Sequence, residues 1–285
     1  MRTLLFLSVA LVLVVLAVAS QAPSLAAGGL LHPARHQPRS KAPANCADRE
    51  FAGKGVILRG WDCRAGGTRR GTVVYLHGVA DNRDSSIGVI RRFTTQSLDV
   101  VAYDSRAHGA SDGDLCTYGY FEKDDLHRVI DTLAPGPVVL MGTSLGGAVA
   151  LQEAATDKRV SGVIAAEVFS DLETIARERA PFFLPGPVLA EAFRVVERRA
   201  AFSVRAVRPV DAASRIHVPV LLIHGEADTQ TTPDHSRRVF AALTSPKQLI
   251  LVPWARHNQS LSDPGVWAQI EAWIANVLQH AQTPG

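Results

Sequence analysis

Short runs of apolar residues recur along the chain from about residue 55, and segments with apolar positions at helical spacing separate them. Most of the runs are continuous rather than alternating, which is typical of strands that are buried on both faces of a parallel sheet. The predicted strands are Val56–Trp61, Thr72–His77, Val100–Tyr103, Val138–Met141, Val160–Ala165, Val220–His224 and Leu249–Val252. Because strands and helices alternate at this spacing, the pattern predicts an α/β domain with a mostly parallel sheet.

Helices are predicted between these strands and after the last of them. The predicted helices are Ser86–Phe93, Phe121–Leu133, Leu145–Ala155, Thr232–Leu243 and a C-terminal helix that begins at Asp263-Pro264. Thr232 and Asp263 each precede a proline, and this order favours a helix start because proline fits the first helical turn. Residues 168–217 contain no predicted strand, and their amphipathic spacing predicts a helical cap over the edge of the sheet.

The N-terminal segment has a different pattern. Leu4–Ala19 is a run of sixteen residues that are all apolar except Ser8, and the basic residue Arg2 precedes it. This order is typical of a secretory signal peptide. A membrane anchor is the alternative, although the run is slightly shorter than the roughly 20 apolar residues that span a bilayer. We therefore expect residues 1–27 to be a signal or an anchor. The protein would then be exported, as a periplasmic or secreted protein, or associated with a membrane through residues 4–19.

Basic charge is concentrated in the same part of the chain. The formal net charge is +3, and the first fifty residues carry five basic and two acidic side chains, so residues 51–285 are neutral overall. A nucleic-acid-binding domain is expected to carry a basic stripe, which argues against such a partner. Residues 28–50 combine prolines with scattered arginine and lysine, and this composition predicts an exposed linker before a folded domain over 51–285.

Three cysteines are present, so at most one internal disulfide can form. Export permits disulfides, and a Cys46–Cys63 pair would close a short loop at the start of the folded region. That pairing leaves Cys116 as the unpaired cysteine. No two of the three have Cys-x-x-Cys spacing, so the sequence contains no such metal or redox motif.

The pattern Gly-x-Ser-x-Gly, which marks a nucleophilic serine at a strained strand-to-helix turn, occurs twice. In one copy Ser144 directly follows the predicted strand Val138–Met141 and opens an alanine-rich helix. In the other, Ser111 is followed by Asp-Gly-Asp, which is typical of a loop. Because the motif depends on its setting between strand and helix, Ser144 is the predicted nucleophile and Ser111 a loop residue.

A serine hydroxyl needs a histidine to accept its proton and an acid to orient that histidine. Where this turn occurs, the acid and the histidine follow the serine in that order, on loops after later strands. Asp228 and His257 occupy these positions, and Glu226 is the alternative acid. The other histidines of this region fit less well, because His235 lies inside a predicted helix and His280 in the C-terminal tail.

Backbone amides are expected to stabilise the oxyanion of the tetrahedral intermediate. One is the amide of Leu145, the residue after the nucleophile, and the other is predicted to be that of Val79, in the loop after the second strand. Gly78 permits the tight turn that this loop needs. His77 precedes the acid in the chain and is predicted to brace the loop, and His108 is likewise predicted to be structural.

Five segments together resemble the α/β-hydrolase superfamily, and in particular its branch of serine aminopeptidases, monoacylglycerol lipases and related esterases. They are His77-Gly78, the turn from Asp104 to Asp112, Gly142–Gly147, His224–Asp228 and His257. The resemblance covers about residues 55–280. It implies a mostly parallel eight-stranded sheet flanked by helices, a small helical cap, no metal and no organic cofactor. It also implies the same nucleophile, acid, base and oxyanion amides.

The expected function is that of a serine hydrolase that cleaves a small-molecule ester or acyl substrate through an acyl-enzyme. Five apolar cap residues are candidates for contact with an apolar acyl group, although packing of the cap onto the sheet explains them equally well. They are Phe182, Phe183, Leu184, Leu189 and Phe193. Serine peptidases including aminopeptidases, thioesterases and acyltransferases share the triad and remain alternatives, as does a non-catalytic tethered binding protein.

Overall fold

The computed structural model describes residues 20–282. The predicted signal or anchor at Leu4–Ala19 lies outside the described residues. Within the described part of the chain, no helix combines the length and the apolar composition that crossing a membrane requires.

Eight strands form one sheet within residues 20–282, in the order β1-β2-β4-β3-β5-β6-β7-β8. The strands are β1 (Cys46–Ala52), β2 (Ile57–Cys63), β3 (Gly71–Leu76), β4 (Leu98–Tyr103), β5 (Val138–Thr143), β6 (Val160–Ala166), β7 (Val220–Gly225) and β8 (Lys247–Val252). Strand β2 pairs antiparallel with β1 and β4, and all other neighbours are parallel. The predicted mostly parallel eight-stranded sheet is confirmed.

Helices cover both faces of the sheet. The described helical segments are α1 (20–31), α2 (Ile87–Thr94), α3 (Glu122–Ile130), α4 (Leu145–Ala154), α5 (Leu172–Glu178), α6 (Gly186–Ala200), α7 (Pro209–Ala213), α8 (Pro233–Ala242) and α9 (Pro264–Gln282). Helices α2 and α9 pack in one apolar core, while α3, α4, α8 and the predicted cap segment pack in the other. The cap segment, residues 168–217, contains α5, α6 and α7 and no strand.

The two predicted helix starts differ in detail. The Asp263 carboxylate accepts hydrogen bonds from the N–H groups of Gly265 and Val266, at 2.6 and 3.2 Å, and so caps the first turn of α9. Thr232 is the residue before α8, but its side chain makes no capping hydrogen bond. Helix α8 therefore begins with the predicted proline at its first position but without the predicted capping hydrogen bond from Thr232.

The segment predicted as an exposed linker, residues 28–50, is mostly exposed but contacts the domain at both ends. Its last residues belong to β1, and Leu31 is fully buried. Cys46 lies opposite Cys63 in the β1–β2 register, and the two form the predicted disulfide. Cys116 is a free, buried thiol. The apolar pattern does not indicate β1, because it is an edge strand whose residues mostly face solvent and include three consecutive charged residues.

Candidate active site

Ser144 lies at a sharp turn between β5 and α4. Its φ of 49° and ψ of −111° place it in a backbone region that residues other than glycine rarely adopt. A Cβ atom on Gly142 would lie 2.2 Å from the Gly146 carbonyl carbon, and one on Gly146 would lie 2.1 Å from the Leu76 carbonyl oxygen. The two glycines are therefore required for the backbone to turn this tightly.

Ser111, in the second copy of the motif, has a different environment. It is almost fully buried, and its hydroxyl donates to the Asp104 carbonyl at 2.5 Å and accepts from the Arg59 N–H at 2.8 Å. Its two hydrogen bonds tie the loop to the start of the sheet. Ser111 thus lies in a loop, where the sequence predicts it, and both partners of its hydroxyl are backbone groups.

His257 and Asp228 follow β8 and β7, so their loops meet at the carboxyl edge of the sheet. The His257 Nδ1–H donates to Asp228 Oδ2 at 2.7 Å. Asp228 Oδ1 accepts from the N–H groups of Gln230 and Thr231 at 2.8 and 2.9 Å. Glu226, the alternative acid, is exposed. The structure therefore pairs the predicted histidine with the predicted acid.

The electrostatics of Asp228 favour its charged form. Burial acts to raise its pKa, but hydrogen bonds from His224, His257 and the Thr231 N–H outweigh burial and hold the pKa well below the usual value for aspartate. A permanent carboxylate at this position orients the imidazole and stabilises the imidazolium cation.

Ser144 and His257 line the same cavity, which has a volume of about 610 Å³. Its wall combines polar and apolar groups in about equal parts and includes the charged residues Asp81, Arg92, Glu167 and Arg179. A second cavity, of about 220 Å³, meets the first at Ser144, Val79 and Arg179. Ser144 therefore stands at the junction of two cavities.

The second cavity is apolar. Three of the five cap residues predicted to contact an acyl group, Leu184, Leu189 and Phe193, lie in its wall. Phe182 and Phe183 do not, since they are 99% and 71% exposed. The structure therefore does not place these two side chains in the cavity, because they lie on an irregular loop whose course the sequence does not show.

His77 holds the loop that carries Val79. Its Nε2 accepts from the Ser105 N–H at 2.9 Å, so the ring proton is on Nδ1, which donates to the Gly78 carbonyl at 2.7 Å. In a trans peptide the C=O and N–H groups point in opposite directions. Because the Gly78 carbonyl is turned to His77, the Val79 N–H is directed to the other side of the peptide.

Burial keeps this histidine pair neutral. The rings of His77 and His108 meet edge to face, with centroids 5.2 Å apart. Burial lowers the pKa of His77, and burial together with the neighbouring His77 lowers the pKa of His108 to about 4. A neutral His77 retains an acceptor nitrogen for Ser105, so its orientation persists at neutral pH.

Glu167 is a residue that the sequence analysis missed. It directly follows β6 and is almost fully buried, and its carboxylate accepts from the N–H groups of Asn258 and Ser260 at 2.5 and 3.1 Å. These bonds fix the turn after His257. A charged residue at the end of a buried strand is the only sequence feature that points to Glu167. The residues that it binds lie more than ninety positions further along the chain, so the sequence does not indicate them.

One group of side chains in residues 20–282 has the composition of a metal site. His127, Glu153 and Asp157 place three potential ligand atoms within 4.8 Å of one another. The Arg159 guanidinium binds both carboxylate oxygens of Asp157, at 2.6 to 3.1 Å. Burial raises the pKa of Glu153 to about 7. The cluster is thus an ion-pair network between α3 and the end of α4.

Comparisons with known proteins agree with this architecture. A family model described as the alpha/beta hydrolase fold matches residues 71–214. The uncharacterized protein YqkD of Bacillus subtilis is 30% identical over 199 residues, which are 66% of this chain and 65%, just under two thirds, of that protein. The Pyrococcus furiosus esterase Pf2001 superposes with a TM-score of 0.69 at 22% identity, covering 88% of this chain and all of the esterase. The Paleococcus ferrophilus monoacylglycerol lipase superposes with a TM-score of 0.58 at 24% identity, and the match covers 78% of this chain and 99% of the lipase.

Proposed function

The chain belongs to the α/β hydrolase family, and on that premise we propose that it is a serine hydrolase that cleaves carboxylic esters through an acyl-enzyme. The observation that carries the proposal is the 2.7 Å hydrogen bond to Asp228 from His257, which lines the same cavity as Ser144. A neutral serine is a poor nucleophile, and this pair supplies the base that it requires.

The proposed reaction has two steps. The Ser144 Oγ bonds to the ester carbonyl carbon while His257 accepts the hydroxyl proton, and the imidazolium then donates that proton to the departing alkoxide as the ester C–O bond breaks. In the second step, water bonds to the acyl carbon while His257 accepts its proton. The imidazolium then returns that proton to Ser144 Oγ as the bond between Oγ and the acyl carbon breaks and the acid is released. The Val79 and Leu145 N–H groups stabilise the oxyanion in both steps. Leu145 is the first residue of α4, so its N–H has no acceptor within the helix.

The two cavities separate the halves of the substrate. His257 must protonate the leaving group, so the alcohol belongs in the more polar cavity on the His257 side. The acyl group then occupies the apolar cavity.

Arg179 is the only charged residue that lines this cavity in the described part of the chain, and no carboxylate lines it. An aminopeptidase substrate would bring an ammonium group into the acyl site, where it would meet a guanidinium and no counter-ion. An uncharged aliphatic acyl group fits better.

A substrate panel tests this assignment. Purified protein is expected to hydrolyse p-nitrophenyl esters of aliphatic acids and to leave leucine p-nitroanilide intact, because only the uncharged acyl group fits the apolar cavity. Release of p-nitrophenol and p-nitroaniline is measured under the same conditions. Cleavage of the anilide in preference to the esters would favour the peptidase alternative instead.

His77 is expected to act as a positioning residue. His77→Ala removes the donor that holds the Gly78 carbonyl, so the Val79 N–H loses its fixed direction and kcat for ester hydrolysis should fall by up to about 10²-fold. KM should change little, because the lost interaction develops in the transition state.

Two further measurements separate this role from general stability. His77→Asn keeps an amide donor near the Gly78 carbonyl and should recover part of kcat, and thermal melts report the folded fraction of each variant. A variant that melts normally and retains the full kcat would show that His77 does not position the amide.

A further inference from the structure

Helix α1 lies against the apolar cavity. Four of its residues line the wall beside Ser144, namely Ala26, Ala27, Gly29 and Leu30. Ala27 and Leu31, which are one helical turn apart, are fully buried in the core that also contains the cap. The rest of the wall comes mainly from α5, α6 and the loop between them.

The C-terminal end of α1 and the chain after it are fixed along the loop 107–118. The Cys116 N–H donates to the Leu31 carbonyl at 2.9 Å, and the Tyr118 hydroxyl donates to the Leu30 carbonyl at 3.0 Å. Further along, Arg35 Nη2 donates to the Gly113 carbonyl at 2.6 Å. Tyr118 itself lines the apolar cavity. Helix α1 is thus tied by its C-terminal end to a residue of the site.

Three of the four lining residues of α1 are alanine or glycine. Small side chains on one wall leave space that a larger side chain would fill. On the premise of the ester hydrolysis proposed above, we infer that α1 is a wall of the acyl-binding site and that its small residues set the length of acyl chain that the enzyme accepts. The apolar wall suits an unbranched aliphatic chain.

The inference has a consequence for processing of the N-terminal segment. Residues 26–31 must remain in the active protein, because they carry the lining side chains and the carbonyl groups that hold α1 in place. Cleavage of a signal after Ala26 would remove the beginning of the wall. Mass spectrometry of the active protein is expected to find residues 26–31 present, and their absence would contradict the inference.

Two matched pairs of variants in the full-length chain test the wall. Ala26→Leu fills the cavity, and Ala22→Leu makes the same change one turn away, at a residue outside the cavity lining. Leu30→Ala enlarges the cavity, and Leu25→Ala is its control at a position that is 71% exposed. The measured quantity is the ratio of kcat/KM for p-nitrophenyl decanoate to kcat/KM for p-nitrophenyl acetate. This ratio should fall by about 10-fold or more in Ala26→Leu and rise in Leu30→Ala, because one methylene more or less in an apolar pocket changes kcat/KM by about 10-fold or more. Both controls should keep the wild-type ratio.

Binding of a fluorescent long-chain fatty acid supplies a second readout that needs no turnover. Ala26→Leu should weaken this binding while Ala22→Leu leaves it unchanged, and thermal melts identify any variant that does not fold. If both alanine-to-leucine variants behave as the wild type in binding and in chain-length ratio, α1 is not part of the acyl site. A wild type that cleaves no ester, but whose fatty-acid binding is lost in Ala26→Leu, would overturn the proposed reaction and leave the wall in place.

Discussion

Replacing Ser144 with alanine is expected to lower kcat for p-nitrophenyl ester hydrolysis by about 10⁶-fold, the loss that removal of a catalytic serine causes in triad enzymes. The substitution deletes one oxygen atom at the junction of the two cavities and leaves the glycines of the turn unchanged. The fold should therefore persist while the acyl-enzyme can no longer form. A fluorophosphonate probe, which reacts with activated serines, should label the wild type and fail to label this variant.

Ser111→Ala is the matched control, because Ser111 belongs to the other copy of the motif. It loses the two hydrogen bonds to Asp104 and Arg59, so a modest loss of stability is expected, with labelling and ester hydrolysis retained. The opposite pattern, in which labelling survives in Ser144→Ala and disappears in Ser111→Ala, would overturn the assignment of the nucleophile.

The second large effect is expected for Asp228→Asn, with kcat lowered on the order of 10⁴-fold. An asparagine amide in this place would donate to His257 Nδ1, which moves the imidazole proton to Nε2 and leaves no base toward Ser144. It would also remove the charge that stabilises the imidazolium. Steady-state kinetics with a short-chain p-nitrophenyl ester measure the loss, and thermal melts show whether the variant is folded.

Glu226→Gln provides the comparison, since Glu226 lies two residues away and is exposed. Its kcat should equal that of the wild type. A large loss in Glu226→Gln with little change in Asp228→Asn would transfer the role of the acid to Glu226.

Because the pKa of Asp228 is held well below its usual value, its carboxylate stays charged as the pH falls through the range in which an ordinary aspartate is protonated. Protonation of Asp228 should therefore contribute nothing to a loss of activity in mild acid.

Several features of the site were predictable because their signals are local. Gly142 and Gly146 permit the strained turn at Ser144, and the apolar run of β5 before it shows where the strand ends. The loops of Asp228 and His257 follow strands of the same kind. In a parallel sheet the carboxyl ends of the strands lie at one edge, so local predictions of strands and loops brought the three side chains to the same region.

Other features had no local signal. Phe182 and Phe183 are exposed and lie outside the cavity wall, while Phe193 of the same cap lines the cavity. All three are phenylalanines in an apolar stretch, but Phe193 belongs to α6 and the other two belong to the loop before it, whose course no sequence pattern shows. Glu167 similarly depends on Asn258, whose distance along the chain gives no pattern that a sequence window can detect.

The sequence by itself determined the mostly parallel sheet, the position of Ser144 between a strand and a helix, and the positions of Asp228 and His257 on loops after later strands. Periodicity, turn residues and strand ends are encoded within a few residues, so one sequence is enough to identify them. Only the tertiary structure decided that His77 directs the Val79 amide, that two cavities of different polarity meet at Ser144, and that residues 26–30 line one of them. The cavities arise from contacts between segments that are distant in the chain, and His77 is itself held by the Ser105 N–H, 28 residues away. The energies of such contacts depend on packing in three dimensions.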